Sequence, residues 1–404
     1  MSSEFNSLSI SGHDPSDEVH KSLKKNGVNF ATGLPCGILR YFMHNLTNDS
    51  EILHMPGLNE PETIGIATGA WLAGKTPAIY MQNSGMLKSV NDIAGLMMAS
   101  KAPSIILATY RGCSGDNATQ HQITGSITKP TLDALGLEYH ELSDDNISGT
   151  IDDCFNFMDE SGFPAVLLVK RGWSNTEVLK DVSLYAEELR DELNYPVYPT
   201  LAVDNALSKI IDYRDGNILD RDRSLDSMFE VIGRDSAVFS STGIMSRYIF
   251  ENFDSPNQFY NCGGFGQTSV IGSGFAASRK DVNTIAIDGD SSLLTNFGAL
   301  VTNGNLGTSN FTHIVVDNAA YGSCSEEKSL SLSANIPLVA AIQDYKNVFL
   351  VDSAVGIQKS IELSSNFNGP NLIYLNIKLG GPRNPKRPLD MDITARRFKE
   401  YFSQ

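Results

Sequence analysis

Residues 284–323 read TIAIDGDSSLLTNFGALVTNGNLGTSNFTHIVVDNAAYGS, and this stretch decides the fold. Two runs of apolar and β-branched residues, 284–287 and 311–316, each predict a short buried strand. Apolar residues between the two runs recur at helical spacing over 293–301. A strand, a helix and a second strand in this order predict a parallel crossover unit within an α/β sheet.

Polar residues follow each predicted strand of this unit. Asp288, Gly289 and Asp290 follow the first strand, and Asn318 comes soon after the second. Open α/β sheets bind ligands at the carboxyl ends of their strands. Gly289 lets the backbone approach a phosphate group, while Asp290 and Asn318 supply oxygen ligands that suit Mg²⁺. The sequence therefore predicts a site for a metal-bound diphosphate, the alternative being an ordinary turn after a strand.

The same stretch resembles the signature of thiamin-diphosphate enzymes, which runs Gly-Asp-Gly, helix, strand and a closing Asn. The resemblance implies that Gly289, Asp290 and Ser291 contact the cofactor. It also implies that Asp290 and Asn318 bind the metal, together with the backbone carbonyl of Ala320. Ser291 stands where the family usually has a second glycine. A dinucleotide-binding fold is disfavoured, because no G-x-G-x-x-G follows the strand.

Composition and charge exclude several classes of protein. The 404-residue chain can bury two domain cores, and its net charge of −16 disfavours binding to nucleic acid or anionic lipid. An anionic substrate then needs a locally basic pocket. The five cysteines show no C-x-x-C spacing, the N-terminus is polar, and no apolar run is long enough to span a membrane. We therefore expect a cytoplasmic protein without disulfides, a membrane span or structural zinc.

Strand and helix patterns alternate in both halves of the chain, which predicts two doubly wound parallel-sheet α/β domains. The predicted boundaries are a flexible tail (1–17), a first domain (18–185), a linker (186–230) and a second domain (231–404). The resemblance implies that the first domain binds the pyrimidine ring and the second the diphosphate. Thiamin-diphosphate decarboxylases usually carry a third domain between these two, and this chain is too short for it. The resemblance therefore narrows to the compact phosphonopyruvate and sulfopyruvate decarboxylase group.

The segment NEPETIGIATG (59–69) resembles the glutamate motif of the family. The resemblance makes Glu60 the catalytic carboxyl group, which contacts the cofactor and shares a proton with its aminopyrimidine ring. The alternative is that Glu60 only stabilises the start of a helix, where acidic residues are common. Glu62 is the neighbouring candidate, and we expect it to be a solvated residue of the first helical turn.

The segment MQNSG (81–85) follows a predicted strand and resembles the same five residues in the two-domain decarboxylases. The resemblance implies that Gln82, Asn83 and Ser84 bind the substrate, whose carboxylate or phosphonate their amide and hydroxyl groups can contact. The alternative is a polar loop in which Ser84 caps the following helix.

A polar loop at 111–125 is similar to a segment that carries a Gln-His pair in the family. The resemblance implies that His121 acts as a general acid or base, since a histidine titrates in the useful pH range. The alternative is an exposed histidine without a role. Arg111 either neutralises a substrate anion or lies at the surface.

Two segments of the second domain resemble cofactor contacts. STGIMSR is similar to the opening of this domain in the family and implies that Thr242 and Gly243 face the cofactor. GGFGQTS is similar to a glycine-rich turn, in which Gly263 and the bulky Phe265 would support the bent cofactor. Gln267 stands where the family usually has a histidine, which leaves the role of this position open.

Two further segments bear on the substrate. Residues 322–335 depart from the Gly-Gly-Gln lid of the family and lie where substrate selectivity could be set. GGPRNPKRP (380–388) resembles a basic motif of the family, in which Arg383 and Arg387 could balance a multiply charged substrate. The alternative is a solvated basic cluster.

The resemblance implies a thiamin-diphosphate- and Mg²⁺-dependent decarboxylase of a small anionic 2-oxo acid. We expect 3-phosphonopyruvate as the substrate, with phosphonoacetaldehyde and CO₂ as products, in phosphonate biosynthesis. Sulfopyruvate is the alternative substrate and carboligation the alternative reaction; a non-catalytic nucleotide-binding regulator would not need Glu60. Family sites form between subunits, which implies a homodimer or larger homo-oligomer.

Overall fold

The computed structural model describes residues 14–113, 115–116, 118–173, 204–323, 326–366, 369–380 and 385–403. Most of the predicted tail, much of the predicted linker and Arg383 lie outside these residues. The strands are β1 Phe30–Gly33, β2 Leu53–His54, β3 Pro77–Gln82, β4 Ile105–Thr109, β5 Tyr139–Glu141, β6 Ala165–Val169, β7 Ile210–Asp212, β8 Ala237–Ser240, β9 Gln258–Tyr260, β10 Thr284–Gly289, β11 Phe311–Asp317, β12 Asn347–Val351 and β13 Asn371–Asn376.

The helices are named in the same chain order. They are α1 Pro15–Lys25, α2 Arg40–Asn48, α3 Glu60–Leu72, α4 Asn83–Lys88, α5 Val90–Asp92, α6 Thr119–Leu135, α7 Ile147–Ser161, α8 Arg221–Phe229, α9 Ile244–Phe253, α10 Thr268–Ser278, α11 Asp290–Thr295, α12 Ala299–Leu306, α13 Ser331–Ala334, α14 Ile336–Ile342, α15 Ala354–Asn366 and α16 Met391–Phe402. A 3₁₀ turn, Gly37–Leu39, precedes α2, and a π-helical segment, Ile93–Met98, follows α5.

Two parallel sheets form the framework of the molecule. The first has the strand order β2-β1-β3-β4-β6-β5, and the second has the order β7-β12-β13-β11-β10-β8-β9. Strands such as β4 and β6 are buried at every position, as expected when helices cover both faces of a parallel sheet. This architecture confirms the predicted fold class of two α/β domains.

Strand register places the predicted diphosphate unit at one edge of the second sheet. In β10, Ile287 pairs with Ser240 of β8, and Gly289 pairs with Val316 of β11. The residues that follow these three strands therefore meet at the same carboxyl edge, where open α/β sheets bind ligands.

Several elements differ from the sequence prediction. The helix predicted over 293–301 is interrupted at Asn296, whose buried side chain bonds to Asn59 and Gln267 instead of continuing one helix. Residues 15–17 of the predicted tail begin α1, which Asp14 caps. Within the predicted linker, β7 joins the edge of the second sheet and α8 follows it. The domain boundaries themselves stay a prediction.

Helices α3 and α10 join the two domains through close backbone contact. A Cβ at Gly69 of α3 would lie 2.0 Å from the carbonyl oxygen of Ile271, and a Cβ at Gly274 would lie 2.4 Å from that of Ile66. Glycine is thus required at both positions, because any side chain would push the helices apart. This contact fixes α3, and with it Glu60, against the second domain. Across the described residues, no helix combines the length and apolar character of a membrane span.

Candidate active site

A cavity of about 300 Å³ lies at the carboxyl ends of β8, β10 and β11. Most of the cofactor and metal residues predicted from the second half of the sequence line it, namely Thr242, Gly243, Phe265, Gly289, Asp290, Ser291, Asn318 and Ala320. Arg221 of α8 also lines it, although the pattern of the predicted linker gave no signal for this residue. Gly263 is not among the lining residues, and it lies against Gly95, whose carbonyl oxygen would be 1.6 Å from a Cβ.

Glycines open the backbone of this cavity to a ligand. Gly243 has a φ of 95°, a left-handed conformation that glycine adopts without strain. A Cβ at Gly243 would also lie 2.8 Å from Oγ of Ser323. At Gly289, no atom lies within 4 Å of the place a Cβ would take. Both turns therefore leave room for an anion to approach main-chain N–H groups.

Asp290 is the acidic residue of the cavity lining, and only 4% of its surface is exposed. Burial raises the pKa of Asp290 to about 6, and the charge of Asp317 adds to this rise, while the hydroxyl of Ser329 opposes it. Within the described part of the chain, no Lys or Arg forms an ion pair with this carboxylate. A buried carboxylate without a positive partner is a suitable ligand for a cation.

The segment after Asn318 is tied to the buried carboxylates by serine hydroxyl groups. Ser329 donates a hydrogen bond to Asp290, and Ser331 donates one to Asp317 at 2.9 Å. The two serine hydroxyls are 3.0 Å apart. Both serines belong to the 322–335 segment, which departs from the family lid, so this part of the segment contacts the site directly.

Glu60 is the first residue of α3, and its carboxylate is half-buried. The side chain of Asn59, not that of Glu60, caps the helix by accepting the N–H of Glu62 at 3.1 Å. Oε2 of Glu60 lies 3.4 Å from Nζ of Lys88. A Cβ at Gly85 would lie 2.2 Å from Cγ of Glu60, so the glycine of MQNSG provides the space that Glu60 occupies.

His121 lies in the first turn of α6 and not in a loop, and it is 8% exposed. Its Nδ1 is 3.0 Å from Oδ2 of Asp116, a residue that sequence reasoning missed. Desolvation acts to raise the pKa of Asp116, but hydrogen bonds from Ala118, Gly112 and His121 and the charge of Arg111 hold it below its usual value. Asp116 thus stays ionised and orients the imidazole. Because His121 is buried, the alternative of an exposed histidine is wrong.

The predicted substrate residues lie in different environments. Gln82 donates to Oγ of Ser84 at 2.7 Å, which joins the strand end to the start of α4. Asn83 is fully buried, and its amide donates to the carbonyl of Arg111 and to Thr128, each at 2.9 Å. The amide of Asn83 therefore supports the strand end instead of facing a cavity. Nε of Arg111 lies 3.6 Å from Oδ2 of Asp116.

The prediction that Glu62 is solvated is wrong. Its side chain is fully buried, because α3 is covered by the second domain on the face that a single-domain pattern would leave exposed. Oε2 accepts a hydrogen bond from Asn59 at 3.2 Å, and Asn59 also donates to Asn296 at 3.1 Å. Burial raises the pKa of Glu62.

Gln267, whose role the sequence leaves open, lies in the interface between α3 and the second domain. Gln267 is buried, and its Oε1 accepts a hydrogen bond from Asn296 at 3.4 Å. A Cβ at Gly65 of α3 would lie 3.3 Å from the same oxygen. Burial raises the pKa of Asp92 to about 6, and a hydrogen bond with Gln267 opposes this rise. A polar cluster thus lies between the two domains.

Comparison with known proteins identifies the family of this chain. Residues 240–360 match the family described as thiamine pyrophosphate enzyme, C-terminal TPP binding domain. Phosphonopyruvate decarboxylase of Streptomyces viridochromogenes is 26% identical over 381 residues, which cover 93% of this chain and 92% of the relative. Sulfopyruvate decarboxylase subunit alpha of Methanothermobacter thermautotrophicus is 40% identical over 126 residues, which cover 31% of this chain and 76% of the relative. The chain belongs to the thiamin-diphosphate-dependent decarboxylase family.

A solved structure agrees with this assignment at the level of the fold. The thiamine diphosphate-dependent 4-hydroxybenzoylformate decarboxylase of Rhodococcus jostii RHA1 superposes with a TM-score of 0.70 at 13% identity, covering 91% of this chain and 100% of that chain. Membership of the family makes this chain an enzyme, a carboxy-lyase with thiamin diphosphate as its cofactor. The expected membership of the thiamin-diphosphate enzymes is therefore confirmed, and the metal and cofactor contacts expected from residues 284–323 stay a prediction.

The cavity of this decarboxylase fits a metal-bound diphosphate. Oδ1 of Asn318 accepts the N–H of Ala320 at 3.0 Å, and Ala319 between them has a φ of 57°. This turn keeps Asn318 and Ala320 in the same lining as Asp290. One carboxylate, one amide and one backbone carbonyl would leave the other positions of Mg²⁺ to diphosphate oxygens and water.

The residues that the sequence predicts for the active site fall into two groups within one chain. Every residue that lines the 300 Å³ cavity lies between Arg221 and Ile377. Glu60, Gln82 and His121, which the sequence predicts for the same site, lie on the first sheet's elements and are not among the lining residues. The predicted first-domain residues are therefore absent from the lining of the cavity that the second-domain residues form.

Proposed function

We propose that this thiamin-diphosphate decarboxylase converts 3-phosphonopyruvate into phosphonoacetaldehyde and CO₂, with Mg²⁺ as the metal. The observation that carries the proposal is the cavity that gathers Asp290, Asn318 and Ala320 beside the glycine turns. Similarity to phosphonopyruvate decarboxylase over 93% of the chain supports the choice of substrate. We also propose a cytoplasmic location, as expected from the sequence.

The proposed roles follow from the surroundings of each residue. Asp290, Asn318 and the Ala320 carbonyl would hold Mg²⁺, and the turns at Gly243 and Gly289 would receive the diphosphate. When bound, thiamin diphosphate supplies an electron sink for the electrons that remain as CO₂ leaves. Phe265, which is 44% exposed in the cavity, offers an apolar surface on which the cofactor can rest.

Two first-domain groups would move protons. Glu60 would share a proton with a ring nitrogen of the cofactor, because its half-buried carboxylate has space beside Gly85 and, within the described residues, forms an ion pair only with the exposed Lys88 at 3.4 Å. His121 would deliver or accept a proton through Nε2, since Asp116 engages its Nδ1.

We propose that the working unit is at least a homodimer. In that assembly, Glu60 and His121 of one subunit would complete the cavity of the other, which one chain lines only with second-domain residues. The alpha and beta subunits of sulfopyruvate decarboxylases are relatives that act as separate chains, and this supports an assembly of more than one chain.

Sulfopyruvate is the second candidate substrate, because sulfopyruvate decarboxylase of Methanosarcina acetivorans is 22% identical over 96% of this chain. Initial rates with 3-phosphonopyruvate, sulfopyruvate and pyruvate, measured with thiamin diphosphate and Mg²⁺, distinguish the candidates. We expect the highest kcat/KM with 3-phosphonopyruvate. A higher value with sulfopyruvate would exchange the two assignments, and turnover of pyruvate alone would refute both.

A further inference from the structure

A second cavity, of about 500 Å³, lies directly beside the diphosphate cavity. The two cavities share Thr242 and Gly243 in their linings. The other wall of the second cavity comes from α9 and from residues 387–391, which lead into α16. The two cavities are therefore neighbours on either side of the Thr242–Gly243 turn.

Two arginines line this second cavity. Arg247 projects from α9 and is half-buried, and Arg387 is an exposed residue of the segment before α16. Among the described residues, neither guanidinium has a carboxylate within ion-pair distance. Arg397, by contrast, is bound to Asp254 at 2.6 Å. Two neighbouring guanidinium groups without a carboxylate partner in the described residues are unusual in a chain of net charge −16. They create a local positive potential.

Cys262 lies near both arginines and lines the same cavity as they do. Its exposed thiol lines the cavity, and the backbone carbonyl of Cys262 accepts a hydrogen bond from Oγ1 of Thr242 at 3.2 Å. Desolvation raises the pKa of this thiol, while the charges of Arg247 and Arg387 act to lower it. The carboxylate of Asp390 is the acidic group in the same lining, so the two arginines leave the cavity with a net positive charge.

We propose that this cavity binds the anionic head group of the substrate, a phosphonate or sulfonate, through Arg247 and Arg387. The inference rests on the proposed function, since only a 2-oxo acid with a second anion needs such a subsite. Guanidinium groups bind tetrahedral oxyanions with paired N–H donors, which suits this head group. The 2-oxo acid end of the substrate then extends past Thr242 toward the cofactor cavity.

Substitution of each arginine by methionine tests the assignment, because methionine keeps the length and removes the charge and donors. We expect Arg247→Met and Arg387→Met each to raise KM for 3-phosphonopyruvate by about tenfold or more, with kcat changed less. The kcat/KM for pyruvate, which lacks a second anion, should stay within about threefold, since no charge-assisted bond to it is lost. Arg234→Met is the matched control, since Arg234 is exposed before β8 at the opposite edge of the sheet.

Equal losses for 3-phosphonopyruvate and pyruvate would overturn the assignment, because a general structural defect does not distinguish the two substrates. Thermal melting of each variant checks that the fold is intact. An Arg387→Lys variant, which keeps the charge without the fork of donors, should fall between the wild type and Arg387→Met.

A second readout does not depend on turnover. In the holoenzyme with thiamin diphosphate and Mg²⁺, the rate of Cys262 alkylation by iodoacetamide is measured by mass spectrometry. Methylphosphonate should slow this alkylation in the wild type and in Arg234→Met, but not in the Arg247→Met, Arg387→Met double variant. Absence of protection in the wild type, or equal protection in the double variant, would overturn the head-group site. If protection is found but 3-phosphonopyruvate is not decarboxylated, the cavity assignment stands and the proposed substrate fails.

Discussion

Nδ1 of His121 lies 3.0 Å from the carboxylate of Asp116. This contact joins the segment that follows β4 to the first turn of α6. The carboxylate also accepts the backbone N–H groups of Gly112 and Ala118, each at 3.3 Å. Asp116 is thus held from three directions, and it fixes the orientation of one imidazole. Within the described residues, no hydrogen bond engages Nε2 of His121, which is left for other partners.

We expect Asp116→Asn to lower kcat/KM by about tenfold or more, because an amide cannot stabilise the charged imidazole as a carboxylate does. Asp133→Asn is the matched control, because Asp133 is an exposed residue near the other end of α6 that accepts a hydrogen bond from the Tyr139 hydroxyl. An unchanged kcat/KM in Asp116→Asn would remove the positioning role.

Glu60→Gln is expected to keep cofactor affinity and lose most turnover, about 100-fold or more, because glutamine cannot share a proton with the cofactor ring. Glu62→Gln makes the same change two residues further along α3 and is expected to retain turnover, since Glu62 is buried between the domains. Cofactor binding is measured by calorimetry and turnover by CO₂ release. Loss of turnover in Glu62→Gln and retention in Glu60→Gln would exchange the two roles.

Asp290→Ala is expected to abolish metal-dependent binding of thiamin diphosphate, because it removes the one carboxylate among the proposed metal ligands. Calorimetric titration with and without Mg²⁺ measures the effect directly. Asp281→Ala, at an exposed surface position paired with Arg279, is a control for the loss of one negative charge. Equal cofactor affinity in Asp290→Ala and the wild type would refute the metal site.

The polar cluster between the domains predicts a pH-dependent stability. The pKa of Asp92 rises from 3.8 to about 6 on folding, so the folded state holds its proton more tightly than the unfolded state. Folding therefore becomes less favourable as the pH rises from about 4 to about 6, and this loss persists at higher pH. Asp92→Asn should thus stabilise the protein by about 1–3 kcal/mol at pH 7.5.

The gain in Asp92→Asn should shrink as the pH falls from 6 toward 4, because the native carboxyl group is then neutral as well. Urea unfolding at several pH values measures it. Gln267, the neighbour of Asp92, can hydrogen-bond an amide as readily as a carboxyl group. A gain that is constant with pH would show that Asp92 is not protonated in the folded protein.

The assembly can be tested by mixing two inactive variants, Glu60→Gln and Asp290→Ala. If sites form between chains, a mixed dimer contains one site with both wild-type groups, and part of the activity should return. Random mixing makes half of the dimers heterodimers, so we expect up to about a quarter of the wild-type site count. A verified heterodimer without activity would contradict the shared site.

The fold and the second-domain cavity could be predicted because they depend on local patterns. Strand β11 is buried throughout and β10 is buried at every position before Gly289, both read as short apolar runs, and each ends directly before a polar group. Parallel register then brings Asp290 and Asn318 to one edge, although they are 28 residues apart. The resemblance of this strand–helix–strand unit to the family signature therefore indicates the family without knowledge of any contact.

Contacts between distant segments could not be predicted from these patterns. The burial of Glu62 depends on the other domain, where Thr302 of α12 lies beside its carboxyl group, and the periodicity of α3 carries no information about that contact. Arg247 and Arg387 meet at one cavity from positions 140 residues apart. Asp116 lies in an irregular segment, where spacing from His121 does not set the geometry.

The measurement that tests the central claim most directly is ³¹P NMR of 3-phosphonopyruvate incubated with the purified chain, thiamin diphosphate and Mg²⁺. The account predicts that the substrate signal is replaced by that of phosphonoacetaldehyde, with one CO₂ released for each substrate consumed. The change should require both thiamin diphosphate and the metal. An unchanged 3-phosphonopyruvate signal under conditions in which the chain decarboxylates another 2-oxo acid would contradict the account.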